Sequence, residues 1–80
     1  MEIKILGSGC ANCQKLYGVV EQAVQELGIQ ADMKKVEDMK EIMSHGVMST
    51  PALVINGKVK SFGKVLKLAA AKKYIQEENN

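Results

Sequence analysis

The chain has 80 residues, a length that suits one domain and no more. Apolar residues make up 46% of it and charged residues 25%, a composition that is typical of a globular domain and argues against disorder. All eleven basic residues are lysines and the net charge is only +2, so the arginines and strong positive charge of a nucleic-acid-binding protein are missing. No apolar run reaches the ~20 residues of a membrane helix or resembles the central region of a signal peptide. We therefore expect a cytoplasmic protein without nucleic-acid or membrane partners.

The first third of the sequence predicts a strand followed by a long helix. Glu2 to Leu6 alternate polar and apolar side chains and end at a glycine-rich stretch, which is typical of a short strand. From about Ala11 apolar residues recur at helical spacing, and Gly28 supplies the left-handed residue that commonly ends a helix. The apolar face of this helix contains Leu16, Val20, Ala23, Val24 and Leu27.

A second strand and a short helix are predicted next. Residues 29–36 contain apolar residues in alternation, which favours a strand. Asp38 and Glu41 have the spacing of a capping box, in which the Asp38 carboxylate accepts hydrogen bonds from first-turn amides while Glu41 reaches back. We therefore predict a short helix from this point that ends at His45-Gly46.

The last third of the sequence predicts a hairpin and a closing helix. Ala52–Ile55 is a continuous apolar run, Asn56-Gly57 is a strong hairpin signal, and Lys58–Phe62 alternates again. Residues 64–75 combine apolar residues at helical spacing with lysines, which favours a helix. The polar residues 77–80 are expected to form a tail.

The predicted order of elements is β-α-β-α-β-β-α, which indicates an α/β fold with a four-stranded mixed sheet and three helices. The first two strands are joined through a helix and should be parallel, whereas the hairpin adds an antiparallel pair. We expect one domain over residues 1–76, followed by the polar tail over residues 77–80.

Cys10 and Cys13 lie at the predicted junction between the first strand and the first helix. The free amides and the positive end of the dipole at a helix start favour a thiolate at Cys10 and should lower its pKa. Residues three apart share one helical face, so the two sulfurs can meet. In a reducing compartment this spacing indicates a redox pair or two metal ligands rather than a structural disulfide. In a redox pair, Cys10 is the expected nucleophile because it lies nearer the surface, and Cys13 is the expected resolving thiol.

The single proline, Pro51, follows Thr50 and stands at the start of the predicted apolar strand. Proline is tolerated at the first position of a strand. Since about one X-Pro bond in twenty is cis in folded proteins, sequence statistics favour a trans bond here.

Together these features resemble the minimal fold of the thioredoxin and glutaredoxin superfamily, and in particular its small redox-active disulfide proteins. The similarity covers nearly the whole chain and depends on the Cys-x-x-Cys motif at residues 10–13 and on residues 50–57, where Thr-Pro precedes an apolar strand and a hairpin turn. The resemblance implies that Pro51 is cis and lies against the two cysteines. It also implies that the backbone of Thr50 pairs with an extended substrate segment.

The function implied by this resemblance is thiol–disulfide exchange between a Cys10–Cys13 dithiol and the disulfides of partner proteins, with a dithiol reductant restoring the thiols. No metal or other cofactor is implied. Because the fold leaves no exposed apolar stripe in the sequence pattern, we expect a monomer. Thioredoxins have Gly-Pro between the cysteines, whereas this chain has Ala11 and Asn12, so we expect this dipeptide to tune the reduction potential to a value of its own.

Two alternative functions use the same cysteines. A soft-metal carrier would bind Cu(I) or Zn(II) through both thiolates. Metal-carrier domains with this motif usually have methionine two residues before the first cysteine, where this chain has Ser8, and they end in a strand rather than a helix. A non-enzymatic redox sensor would change its affinity for a partner on oxidation, and the sequence alone does not separate it from an enzyme.

Overall fold

The backbone folds into a mixed four-stranded sheet with helices on both faces in the computed structural model, which describes residues 1–79. The elements, in chain order, are β1 (Glu2–Leu6), α1 (Ala11–Leu27), β2 (Asp32–Val36), α2 (Met39–Ser44), β3 (Ala52–Ile55), β4 (Lys58–Phe62) and α3 (Leu68–Glu78). This order confirms the predicted α/β fold, with its four strands and three helices within the described residues. None of the helices in this part of the chain is both long enough and apolar enough to cross a bilayer.

The strands lie in the order β2-β1-β3-β4. Strands β1 and β2 are parallel, with Leu6 opposite Val36, because α1 carries the chain back to the end of the sheet where β1 began. Strands β1 and β3 are antiparallel, with Leu6 opposite Ala52. The carboxyl ends of β1 and β2 and the start of β3 therefore meet at one end of the sheet, which we call the redox end.

Helices α1 and α3 cover one face of the sheet, which we call the closed face. Alternate residues of β1 and β3 point toward these two helices because side chains alternate between the faces of a strand. The buried residues of this cluster are Ile3, Ile5, Leu16, Val20, Ala23, Leu53, Ile55, Leu66, Ala71 and Ile75. Since burial of one such aliphatic side chain stabilises a fold by about 1.5–3 kcal/mol, the closed face supplies most of the apolar stabilisation.

The opposite face, which we call the open face, carries a smaller buried cluster beneath α2. Its members are Leu6, Val36, Ile42, Ala52 and Val54. Helix α2 has only six residues and leaves the β4 side of this face uncovered. Val59 and Phe62 lie opposite Val54 and Ala52 and therefore point to the same face, where they are 37% and 52% exposed.

Helix α2 begins at the predicted N-cap. Asp38 Oδ1 accepts a hydrogen bond from the N–H of Lys40 at 3.3 Å. Within residues 1–79, the carboxylate of Glu41 does not complete the capping box but accepts from Lys4 Nζ at 3.5 Å. Lys4 lies on the open face, because its neighbours in β1 point toward α1 and α3. Its ammonium therefore binds the Glu41 carboxylate in place of the N-cap amide that a capping box would use.

The turns agree with the prediction, whereas one strand boundary does not. Asn56 and Gly57 have φ angles of 50° and 81°, both in the left-handed region that a two-residue hairpin requires. Gly28 ends α1 with a φ of 66°, as predicted. Strand β2 begins at Asp32, because only residues 32–36 pair with β1.

The C-terminal helix differs from its predicted boundaries. Helix α3 continues through Glu78, whereas the sequence predicted a helix over residues 64–75 and a tail from Glu77 onward. Lys60 Nζ lies 2.6 Å from Glu78 Oε2 and 3.4 Å from Glu77 Oε1, so the last turn of α3 is tied to β4. Asn80, the last residue of the predicted tail, lies outside the described residues.

Candidate redox site

Cys10 occupies the N-cap of α1, immediately after the loop that leaves β1. Its backbone is extended, with φ −73° and ψ 162°, and its Sγ accepts a hydrogen bond from the N–H of Cys13 at 3.1 Å. The side chain is exposed. An N–H donor and the positive end of the helix dipole both favour negative charge on this sulfur, so the position suits a thiolate nucleophile.

Cys13 lies one turn further into α1 and is only 6% exposed. It forms a disulfide with Cys10, and the two Cα atoms are 5.1 Å apart. The predicted difference between an outer and an inner cysteine is therefore present. A reagent from solvent therefore has better access to Cys10 than to Cys13.

Gly7 makes room for the inner sulfur. A Cβ atom at this position would overlap Cys13 Sγ, so any side chain here would force the disulfide to move. The same hypothetical Cβ would lie 3.7 Å from Thr50 Cβ. Gly7 also donates its N–H to Val36 O at 2.9 Å, which fixes the loop to the end of β2. The absence of a side chain at Gly7 thus allows the inner cysteine, β2 and the Thr50 loop to approach one another.

Thr50 and Pro51 precede β3 and lie at the redox end with the cysteines. Their peptide bond is cis, in agreement with the resemblance and against the preference from sequence statistics. Pro51 is buried and Thr50 is exposed. Pro51 O accepts the N–H of Gly63 at 2.9 Å, which fastens this loop to the end of β4. The exposed Thr50 lies near the inner cysteine, since a Cβ at Gly7 would approach both residues.

Ala11 and Asn12 form the first turn of α1 between the two cysteines, and both are exposed. Cys10, which precedes them, is exposed as well.

A cavity of about 60 Å³ adjoins the inner cysteine, with room for about two water molecules. Its lining residues are Ile5, Gly7, Gly9, Cys13, Gln14, Lys35 and Glu37. Gly7, Lys35 and Glu37 were not among the site residues that the sequence predicted. The available signal was their position, since the carboxyl ends of neighbouring parallel strands meet at one end of a sheet.

Across residues 1–79, no group of three or more histidine, cysteine or acidic side chains is close enough together to hold a metal ion. The two sulfurs form a disulfide, so the structure describes the oxidised state of the pair.

The fold and the disulfide define a redox protein with a Cys-x-x-Cys centre at the start of a helix. Comparison with known proteins agrees: the family described as Thioredoxin domain matches residues 1–76. A thioredoxin of Methanothermobacter thermautotrophicus is 40% identical over 75 residues, which cover 94% of this chain and 97% of that protein. A thioredoxin of Methanocaldococcus jannaschii is 38% identical over 68 residues, or 79% of each chain. A second Methanothermobacter thermautotrophicus protein, named a probable thioredoxin, is 33% identical over 57 residues, or 68% of this chain and 67% of that protein.

The chain belongs to the thioredoxin family. It is a thiol–disulfide oxidoreductase whose redox centre is the Cys10–Cys13 pair. The family match and the disulfide together do not favour the soft-metal carrier or the non-enzymatic sensor as alternatives.

Proposed function

We propose that Cys10 is the nucleophile and Cys13 the resolving thiol in exchange with the disulfides of partner proteins. In the first step, the Cys10 thiolate attacks one sulfur of the partner disulfide, a mixed disulfide forms, and the other partner sulfur leaves as a thiolate. The observation that carries this assignment is the exposed position of Cys10 at the N-cap of α1, whereas Cys13, one turn further, is buried.

In the second step, the Cys13 thiolate attacks Cys10 Sγ within the mixed disulfide. The bond between Cys10 and the partner breaks, the Cys10–Cys13 disulfide forms, and the partner leaves with both of its sulfurs reduced. A dithiol reductant of another protein or a small thiol then restores the two thiols. This cycle transfers two electrons and uses neither a metal nor another cofactor.

Recognition of the partner is proposed to occur at Thr50 and Pro51. The exposed backbone of Thr50 is suited to pair with an extended segment of the partner, since main-chain hydrogen bonds do not require a particular sequence. Met48, which is 90% exposed, and Phe62 lie in the segments that flank this loop and offer apolar contact. The dipeptide Ala11-Asn12 is proposed to tune the reduction potential through its influence on the first turn of α1.

The same proposal includes a single domain over residues 1–76, which the last turn of α3 extends to Glu78, a monomeric protein and a cytoplasmic location. The domain boundary is supported by the family match over residues 1–76. The location is supported by the use of two cysteines as a redox pair, since reducing compartments favour redox chemistry over structural disulfides. Sedimentation of the reduced protein and fractionation of its source cells test the last two points.

Trapping of the mixed disulfide tests the order of the two cysteines. We expect Cys13→Ser to accumulate a stable adduct with a disulfide-bonded peptide at Cys10, because the resolving thiol is missing. Cys10→Ser should form no such adduct at a comparable rate, because its remaining thiol is buried. Mass spectrometry of the adducts distinguishes the two variants, and faster trapping by Cys10→Ser would reverse the assignment.

The adduct of Cys13→Ser also tests the recognition site. Amide hydrogen exchange at Thr50 should slow when the peptide is attached, because its N–H would pair with the peptide backbone. Lys58, at the far end of the β3–β4 hairpin, serves as the control and should exchange at an unchanged rate. Unchanged exchange at Thr50 would place the partner elsewhere.

A further inference from the structure

Met48 is the most exposed large apolar residue in the described part of the chain. It is 90% exposed, compared with 69% for Met43, 61% for Met39 and 52% for Phe62. It lies in the loop between α2 and β3, two residues before Thr50. The thioether with the greatest access to solvent is therefore next to the proposed recognition loop.

The segment that carries Met48 packs against the end of β4. A Cβ at Gly63 would clash with Ser49 Oγ, so these two segments approach closely. Gly63 also donates its N–H to Pro51 O at 2.9 Å, which holds the loop in place. Met48 precedes Ser49 and Phe62 precedes Gly63 in the chain, so both apolar residues belong to the contacting segments. We call Met48 and Phe62 the loop patch.

The state of the cysteines decides which sulfurs an oxidant can attack. The chain has two cysteines, and both sulfurs belong to the disulfide. Oxidation of a cysteine to its oxyacids starts from the thiolate, which this state lacks. A methionine thioether needs no deprotonation and becomes a sulfoxide directly. In the oxidised protein, the exposed methionines are therefore the sulfurs that are open to a peroxide.

We propose that Met48 is an oxidation site whose sulfoxide weakens the docking of partner proteins at the loop patch. The inference rests on the proposed recognition of partners at Thr50 and Pro51. The oxidant is a peroxide: the Met48 sulfur gives an electron pair to one oxygen atom, the O–O bond breaks, and the second oxygen leaves as water. The sulfur is oxidised by two electrons and the peroxide is reduced by two.

The sulfoxide changes the cost of docking rather than the chemistry of the cysteines. A thioether is flexible and apolar, so it adapts to an apolar partner surface. The sulfoxide oxygen binds water, and its burial without a hydrogen-bond donor costs free energy. Cys10 lies at the start of α1 and outside the loop patch. Oxidation of Met48 should therefore impair reaction with a protein disulfide but not with a small disulfide.

Peroxide treatment of the disulfide form, followed by reduction with dithiothreitol, tests the proposal. The disulfide protects both cysteines during the treatment, so the reduced product differs from the untreated protein at its methionines. Mass spectrometry of proteolytic peptides measures the sulfoxide at each methionine as a function of time. Steady-state reduction of a protein disulfide then gives KM, and stopped-flow absorbance gives the rate of reaction with neutral dithiodipyridine.

We expect Met48 to be oxidised before Met39 and Met43, and its sulfoxide to raise KM for the protein disulfide by about three- to tenfold. The rate with dithiodipyridine should not change. The double variant Met39→Leu/Met43→Leu keeps Met48 and removes the exposed methionines of α2, so it should show the full rise. Met48→Leu keeps the methionines of α2 and should show no rise. KM is compared before and after peroxide within each variant, so differences between the variants themselves cancel.

The proposed function and this inference fail in different ways. Absence of a trapped adduct in Cys13→Ser would contradict the proposed function. Slower oxidation of Met48 than of the α2 methionines, an unchanged KM after its complete oxidation, or an equal rise in Met48→Leu would overturn the oxidation site alone. A parallel loss of rate with dithiodipyridine would also overturn it. So would a rise in KM that remains after the reductases for both sulfoxide epimers have acted, because the change would not come from the sulfoxide.

Discussion

The closed face of the sheet is covered by two helices, whereas the open face carries only the six-residue helix α2. The closed face buries long aliphatic side chains from both helices and two strands. On the open face, by contrast, large apolar side chains remain in solvent, namely Met39, Met43, Val59 and Phe62. Cys13 and Gly7 lie at the redox end where the two faces meet. The difference indicates that the closed face holds the fold together and that the open face, beside the Thr50 loop, is available for partners.

A matched pair of core truncations gives the largest expected effect. Leu53→Ala on the closed face should lower the free energy of unfolding by about 2–5 kcal/mol, because a fully buried side chain leaves a cavity between α1, α3 and the sheet. Ile42→Ala in α2 should cost less, because this short helix can relax into the space that the side chain leaves. Urea denaturation measures both. An equal or larger loss of unfolding free energy for Ile42→Ala would contradict the claim that the closed face supplies most of the stability.

Substitution of two glycines by alanine tests whether disulfide exchange needs the close approach of Gly7 to Cys13. Gly7→Ala should reduce disulfide exchange at least about tenfold, equivalent to about 1.4 kcal/mol, because its Cβ would displace Cys13 Sγ. Gly18 is the control: a Cβ there meets nothing within 4 Å, so Gly18→Ala in α1 should retain exchange activity and stabilise the helix by about 0.5–1 kcal/mol. Steady-state reduction of a disulfide-bonded peptide measures the activities. Normal activity of Gly7→Ala would show that the loop between β1 and α1 can move to make room for the added Cβ.

Substitution of exposed apolar residues near the Thr50 loop should weaken partner binding more than it lowers the stability of the fold. Met48→Ser and Phe62→Ser should raise KM for a protein disulfide by about three- to tenfold, while a small neutral disulfide reacts at an unchanged rate, because each removes apolar contact area only from the complex. The unfolding free energy should change by about 0.5 kcal/mol or less. Val59→Ser is the control on the same face, since Val59 lies toward the hairpin turn and away from Thr50. A similar KM effect of Val59→Ser would argue against a localised partner surface.

The smallest expected effect on stability concerns the last turn of α3, which is tied to β4 by ion pairs with Lys60. Hydrogen bonds from Lys60 and Lys58 hold the pKa of Glu78 below its ordinary value of 4.5, and the hydrogen bond to Glu78 raises the pKa of Lys60 above 10.5. A carboxyl with a lowered folded-state pKa stabilises the fold above its unfolded-state pKa, and this contribution is lost as pH falls through the lowered value. A lysine with a raised pKa stabilises below 10.5 and loses this contribution as pH rises through the raised value.

Glu78→Gln should therefore be slightly less stable than the unaltered protein near neutral pH, and the difference should shrink as pH falls below 4.5 and disappear below the lowered pKa of Glu78. Thermal unfolding between acidic and neutral pH measures this difference. Glu21→Gln, at an exposed site on α1, serves as the control. A stability difference that persists in acid would show that the carboxylate charge is not its source.

Much of the fold could be predicted because the decisive signals are local. Alternation in β1, helical spacing in α1, the left-handed Gly28 and the Asn56-Gly57 turn each describe a few consecutive residues, and each is confirmed. The placement of Cys10 and Cys13 at the start of a helix followed from the same local pattern. Boundaries were less accurate where distant residues decide them. Pairing with Lys60 extends α3 to Glu78, and pairing with β1 limits β2.

The sequence by itself determined the order of elements, the helix-start position of the cysteine pair and, through its motifs, the thioredoxin family. The resemblance implied that Pro51 approaches the cysteines, whereas the residue pattern alone favoured a trans bond. Only the tertiary structure decided that the Cys13 side chain occupies the space beside Gly7. It also decided that Lys35 and Glu37 line the same cavity as Cys13. The physical reason is that these contacts depend on the lateral order and register of β2, β1 and β3. Periodicity along one strand specifies which face each side chain takes, but it does not specify which strand lies beside it.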